Sequence, residues 1–290
     1  MKLGFTALHP TFGARVSELD LREADSPTLQ QIREGMDRYG VLVFPKQQFD
    51  YAQQLEFATR LDGQLHSKTS AAAITKNRFG NEALTDISNV GANGQVLPND
   101  DRRRMSGVAN RLWHTDASFE NPAGRYSMLF ARNLPPVRAD TEFADMRAAY
   151  DDLDEDTKAL LAGYTVSHSI VYSRHVLGFD FSAEESARLP GAVHPLVRNF
   201  PETGRKSLYL ASHAERIMEL PVPEGRLLLR DLTEHATRER YVFSHEWQLG
   251  DLVIWDNRTT MHRGRPFDDK RYKRELTRVT TLDLPRPTAH

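Results

Sequence analysis

The chain has 290 residues, 27% of them charged, with a formal net charge of -2 and no Cys. That length can build one large core, and the near-balance of charge lacks the electrostatic footprint of a nucleic-acid binder, so small molecules are the expected partners. A closed zinc site built on thiolates is excluded, and with no long apolar run no membrane partner is expected.

Met1-Lys2-Leu3-Gly4-Phe5 lacks the charged-then-apolar pattern of a secretion signal and reads as the start of the mature fold, so a cytoplasmic location is expected. Ser26-Pro27 reads as an N-cap followed by a first-turn Pro, and Gly40 closes the pattern, which predicts a helix of about 13 residues. Val41 to Phe44 reads as a buried strand ended by Pro45. Asp50 with Gln53 at capping-box distance opens a second helix, stopped by Asp62-Gly63. The two helices are expected to brace one sheet.

Residues 64 to 110 turn polar, apart from Leu84 to Val90, and read as a lid or binding loop. Arg102-Arg103-Arg104 within it reads as solvated loop. Arg125 to Ala131 and Thr141 to Phe143 read as strands, the second leading into a helix capped by Asp145. A further helix is predicted from Asp154 to Gly163. Short strands follow at Tyr164 to Val171, Ser207 to Ala211, Tyr241 to Trp247, Asp251 to Trp255 and Thr277 to Leu282, interrupted by a helix at Gly225 to Arg240. Gly250-Asp251 carries a hairpin signal and sets the strand leading to His262 near the sheet centre. Many short strands with a minority of helices predict a mainly β fold with flanking helices, a double-stranded β-helix or jelly roll, in a single domain over residues 1–290.

The chemistry concentrates in Leu112-Trp113-His114-Thr115-Asp116 and in Met261-His262-Arg263-Gly264. In an extended strand His114 and Asp116 point to one side. With His262 they form a two-histidine, one-carboxylate triad that holds one face of an octahedral metal and leaves the other open, the pattern of non-haem Fe(II) oxygenases. A bare His-x-Asp also occurs by chance. Arg274, four positions before Arg278 on a strand-like stretch, strengthens the reading. A planar guanidinium can grip the far carboxylate of a 2-oxo acid whose other end chelates the metal.

These residues, with Asn110 to Phe119, Arg125 to Leu129, Asp140 to Tyr150, Gly250 to Arg258, His262 to Arg265 and Arg274 to Leu282, resemble the Fe(II)/2-oxoglutarate-dependent dioxygenases of the taurine and 2,4-dichlorophenoxyacetate family. The 2,4-dichlorophenoxyacetate branch matches best, and the resemblance covers nearly the whole chain. It implies that His114, Asp116 and His262 bind Fe(II), that Thr141 and Arg274 hold 2-oxoglutarate, and that Arg278 reaches a carboxylate on the prime substrate. The stretch from His262 to Arg274 is one residue longer than in that branch, and Arg274 is assigned because it keeps register with Arg278. The implied reaction consumes O2 and 2-oxoglutarate, releases succinate and CO2, and hydroxylates the carbon beside the ether oxygen of an aryloxyacetate. The product then collapses to a phenol and glyoxylate.

Lys68 in the polar loop, Asn110 and His213 are further candidates for contacting the substrate, set against a solvated lid, a strand-edge Asn and a hydrogen-bonded core His. Trp113, Trp255 and Phe119 read as core packing, and the remaining histidines as structural. An alkyl sulfonate or sulfate ester would suit Arg278 equally well. A metal-binding jelly roll acting as isomerase, hydrolase or binding module leaves Thr141, Arg274 and Arg278 without a shared purpose. Assembly as a homo-oligomer is expected.

Overall fold

The computed structural model describes residues 2–67 and 78–285. Its strands are β1 (Phe5–Ala7), β2 (Ala14–Val16), β3 (Val41–Phe44), β4 (Thr85–Ser88), β5 (Gly124–Asn133), β6 (Thr141–Asp145), β7 (Thr165–His168), β8 (Ala192–Pro195), β9 (Val197–Phe200), β10 (Arg205–Leu208), β11 (Ala214–Ile217), β12 (Val242–His245), β13 (Leu252–Asp256), β14 (Thr260–Gly264) and β15 (Glu275–Leu282). Seven form one sheet in the order β1-β2-β3-β13-β5-β15-β4, antiparallel throughout except for β2 beside β3. A three-stranded sheet runs β12-β6-β14, and smaller sheets join β11-β7-β8 and β10-β9.

The layers follow from side-chain alternation. Leu252 and Ile254 of β13, with Leu42, Phe44, Tyr126 and Met128, share a core with Ile32, Met36, Phe57 and Leu61 of the two N-terminal helices. Val253 and Trp255 belong to a second cluster with Leu129, Phe143 and Trp247, so the interior lies between the large sheet and the β6 sheet. The helices are Ser26–Tyr39 and Tyr51–Asp62, the second opened by the capping box that Asp50 and Gln53 predict. The first is capped by Asp25 rather than Ser26, the Asp25 side chain accepting from the Thr28 backbone N–H. Buried Gln54 pins the second helix to the sheet, donating to Thr277 O at 2.9 Å and accepting from Thr277 Oγ1 at 2.7 Å.

Several local expectations give way to competing signals. Strand β7 ends at His168, because the Ser169 hydroxyl accepts from the Tyr172 backbone N–H and starts a helix over Ile170–His175 where strand was expected to continue through Val171. Arg102–Gly107 is a helix rather than solvated loop, capped by Asp101. Pro223 in the first turn starts the late helix at Val222, and it ends at Ala236. Gly250 does not make a hairpin, since β12 and β13 lie in different sheets. At φ 82° its backbone packs on Gln47, where a Cβ would come within 2.9 Å of the carbonyl oxygen. Among the described residues, no helix is long and apolar enough to cross a membrane.

Candidate active site

His114 and His262 meet directly. Their backbones form a single antiparallel bridge, His114 N–H donating to His262 O at 3.0 Å and His262 N–H donating to His114 O at 2.8 Å. No strand runs through Leu112 to Asp116, contrary to expectation; this bridge does the placing. The imidazole rings lie 4.1 Å apart. His114 Nδ1 sits 2.8 Å from Leu112 O, so the proton belongs on Nδ1 and the Nε2 lone pair is left for the site. The His262 ring is held against Trp255 at 4.5 Å and stacks on Phe143.

Asp116 follows on a tight turn through Ala117, whose φ is 53°. The turn presses on Gly124, where a Cβ would lie 2.9 Å from Thr280 Cγ2 and 3.2 Å from Asp116 O. Asn257 Oδ1 accepts from the Asp116 backbone N–H at 3.1 Å and from Trp255 Nε1 at 2.9 Å. The Asn257 amide donates to Ser127 Oγ at 3.0 Å, and Ser127 donates to Asp116 Oδ2 at 2.7 Å. The carboxylate is therefore aimed by a chain of hydrogen bonds rooted in β5 and β13. Each histidine Nε2 lies 3.8 Å from an Asp116 oxygen, and the three ligand atoms lie within 4.8 Å of one another.

The protonation states suit a metal. Burial lowers both imidazole pKa values, that of His262 well below the usual value, against the pull of Asp116. Burial alone would raise the Asp116 pKa, but Arg278, the two histidines and the Ser127 hydrogen bond outweigh it and hold it at about 2. Two neutral imidazoles and one ionised carboxylate thus converge at neutral pH, as a divalent first-row metal requires.

This cluster borders a cavity of about 240 Å³. Thr141 and Arg274 line its other side. Trp247 Nε1 donates to Thr141 Oγ1 at 3.0 Å, which frees the threonine proton for a ligand. Arg274 donates to Ala139 O at 3.3 Å, and its guanidinium carbon lies 6.0 Å from the centre of the Trp247 ring. Burial lowers its pKa to about 10, so it keeps its charge at neutral pH. The adjacent Lys273 is exposed and does not line the cavity.

A family model described as "Taurine catabolism dioxygenase TauD, TfdA family" matches residues 4–280. The chain belongs to this family. It is 45% identical over 284 residues to an alpha-ketoglutarate-dependent 2,4-dichlorophenoxyacetate dioxygenase of Burkholderia sp. (strain RASC), covering 97% of this chain and 95% of the relative. It is 34% identical over 270 residues to an (S)-phenoxypropionate/alpha-ketoglutarate-dioxygenase of Sphingobium herbicidovorans, covering 90% of this chain and 88% of the relative. Among solved structures, AAD-2 in complex with Mn(II) and N-oxalylglycine superposes with a TM-score of 0.93 at 42% identity, with both chains fully covered (100% each). A TauD/TfdA dioxygenase is an oxidoreductase, and the triad and the Arg274 side of the cavity are read in that light.

Beside the triad of this TauD/TfdA family member lies a second, smaller cavity lined by His213, Phe119, Ile170, Arg174, Arg278 and Asn110. Arg278 is ion-paired with Asp116. Asn110 borders both cavities but stands on a 3-10 turn, Val108–Arg111, rather than on a strand. His213 is buried, within hydrogen-bonding distance of Ser173 Oγ through Nδ1 at 2.9 Å, and its ring meets Phe119 edge-on at 5.0 Å. Lys68 lies outside the described residues. Phe119 and Trp255, read from sequence as packing, line the cavities. Sequence reasoning missed Ser127, Asn257, Trp247 and Arg174. The Ser169 cap was the available signal for Arg174, since it turns the following segment into a helix.

The Arg102–Arg104 run also carries more than was expected of it. Arg104 and Arg111 both grip Asp269, at 3.1 and 3.0 Å, tying the segment before the triad to the loop before Arg274. Asn89 donates to Asp269 O at 2.7 Å and closes the same junction.

Proposed function

We propose that the chain is an Fe(II)- and 2-oxoglutarate-dependent dioxygenase acting on an aryloxyacetate, which it hydroxylates beside the ether oxygen to give a phenol and glyoxylate. One observation carries the reading. Two of the three ligand-type residues, His114 and His262, line one cavity with Arg274, which has no carboxylate of its own among the described residues, and Asp116 completes the ligand set within 4.8 Å. The relatives that act on 2,4-dichlorophenoxyacetate and on (S)-phenoxypropionate support the aryloxy acid.

In this reading His114, Asp116 and His262 hold Fe(II). Bound there with 2-oxoglutarate and O2, the iron supplies the oxidation that converts 2-oxoglutarate to succinate and CO2 and one substrate C–H to C–OH. Arg274 and the Thr141 hydroxyl hold the far carboxylate of 2-oxoglutarate, the guanidinium by charge and the threonine by the proton that Trp247 leaves free. Arg278 turns the charge of Asp116 and reaches toward the substrate, with Asn110, His213 and Lys68 as further contacts. The walls of the smaller cavity exclude water from the reacting carbon.

The same reading takes the large sheet and the β6 sheet as the halves of a jelly roll within one domain, with residues 64–110 as its lid. What supports it is the second core cluster between the two sheets and the presence of Arg78, Asn89 and Asn110 around the larger cavity. A cytoplasmic location and a homo-oligomer belong to the proposal, to be checked by fractionation and light scattering.

The test is succinate release after anaerobic Fe(II) addition, because Zn(II) outcompetes Fe(II) for such ligands. Phenoxyacetate, both 2-phenoxypropionate enantiomers, a cinnamate and taurine form the panel. Release stimulated by the phenoxy acids is expected. Stimulation by taurine alone would replace the aryloxyacetate with a sulfonate, and equal release with and without every compound would overturn the reading.

A further inference from the structure

The guanidiniums around the two cavities are not equivalent. Arg78 is paired with Asp86 and Glu275, Arg104 and Arg111 with Asp269, and Arg278 with Asp116. Arg103 and Arg265 have carboxylates at 3.7 and 3.6 Å. Among the described residues, only Arg174 and Arg274 of this set have no carboxylate within ion-pair distance.

Arg274 is explained by the cosubstrate. Arg174 is buried, 5% exposed, and borders both cavities beside Arg278. Its neighbours are hydroxyls. Nη1 donates to Ser173 Oγ at 3.1 Å and Nε to Ser106 Oγ at 3.4 Å. Ser173 is itself fixed, donating to Ile170 O at 2.9 Å. Hydroxyls orient a guanidinium without neutralising it, and a buried charge without a counter-ion is costly. Burial and the nearby Arg278 lower the Arg174 pKa to about 10, which still leaves it charged at neutral pH.

We propose that Arg174 is the anchor for the acid group of the prime substrate, with Arg278 engaged by Asp116 as its neighbour and Phe119 and Ile170 as the apolar wall for the rest of the molecule. The ligand class is an organic monoanion with an apolar body, and the proposal rests on the dioxygenase reading above. It separates two guanidinium tasks: Arg278 sets the charge around the metal ligand, and Arg174 selects the acid. It also explains why a charged side chain is kept in a helix of only six residues facing the site.

The test uses protein loaded with Mn(II) and N-oxalylglycine, so that binding is read without turnover. Calorimetry compares phenoxyacetate with the neutral phenoxyacetamide on the wild type, Arg174→Gln and Arg174→Lys, and melting is followed without either compound. Expected for Arg174→Gln is a loss of phenoxyacetate affinity of roughly tenfold to a hundredfold, typical of losing a charged hydrogen bond. Amide binding should be indistinguishable from wild type, and Arg174→Lys should recover part of the acid affinity. The unliganded Arg174→Gln protein should melt no lower than wild type, since it sheds a buried uncompensated charge. Unchanged phenoxyacetate affinity, or equal losses for acid and amide with a lowered melting temperature, would make Arg174 structural and overturn the assignment. A wild type that binds no phenoxy acid would overturn the aryloxyacetate reading, and this proposal with it.

Discussion

On the proposed cosubstrate side of the cavity, Thr141 opens strand β6 and Arg274 immediately precedes β15, whereas on the other side Arg174 stands on a short helix and His213 in the loop before β11. The strand-borne pair is fixed by ladders: β6 is paired on both edges, by β12 and β14, and β15 lies between β5 and β4. A shift of either strand by one residue would turn its whole set of side chains to the opposite face. The Arg174 guanidinium is oriented by the Ser173 and Ser106 hydroxyls on a six-residue helix outside the sheets, and the His213 ring by the Ser173 hydroxyl. The cosubstrate, common to the proposed chemistry, is thus met by rigid parts, and the variable substrate by adjustable ones.

The metal site joins the two sides, so removing a ligand should give the largest effect. Asp116→Ala is expected to abolish turnover through loss of the metal, read as metal content after Fe(II) or Mn(II) loading. It would also free Arg278. Full metal occupancy together with activity in this variant would overturn the triad.

Arg274→Ala strikes the strand side alone. The half-saturating 2-oxoglutarate concentration should rise roughly tenfold to more than a hundredfold, the equivalent of about 1.5 to 3 kcal/mol for a charged hydrogen bond. Phenoxyacetate binding should change far less. Unchanged 2-oxoglutarate saturation would remove Arg274 from its role, and equal losses for both ligands would erase the division between the two sides.

Ser127→Ala tests whether the β5 strand aims the carboxylate of Asp116. Ligand-orienting hydrogen bonds of this kind are worth about tenfold to a hundredfold in metal affinity, and the lower end is expected because Arg278 still faces the carboxylate. Titration with Mn(II) measures it. Identical affinity would show that the hydrogen bond from Ser127 is incidental.

How much of this was legible in the sequence divides along the same line. Val41–Phe44 and the Asp50 capping box stand as the pattern predicts, because apolar alternation and caps are local signals. His114, His262, Thr141 and Arg274 line one cavity, and Asp116 lies within 4.8 Å of both histidines. What the pattern could not give was the device that brings them together, since a two-residue bridge between His114 and His262 has no periodicity to read. Arg174 was hidden by Ile170 and Val171, which look like strand until the Ser169 cap is weighed. Ser127, Asn257 and Trp247 carry no motif; their roles come from contacts distant in sequence, such as Trp247 with Thr141.

The smallest effect on ligand binding is expected away from both sides, where the end of β15 is tied down. Asp283 accepts from Arg198 at 2.7 Å and from Arg125 at 3.2 Å, with Arg258 at 3.5 Å, and Arg125 also holds Asp62 at 2.8 Å. Burial alone would raise the Asp283 pKa, but Arg258, Arg198 and Arg125 hold it below the usual value. A carboxylate depressed in the folded state adds stability above its unfolded pKa and loses it as pH falls through the folded value. Asp283→Asn should therefore cost about 1.5 to 3 kcal/mol in denaturant unfolding at neutral pH. The gap from wild type should narrow only in acid, once the wild-type carboxyl is itself protonated. Affinities for 2-oxoglutarate and phenoxyacetate should stay equal to wild type in folded protein. A selective loss of 2-oxoglutarate binding would instead mean that β15 transmits strain to Arg274, and that the strand side is less rigid than its ladders imply.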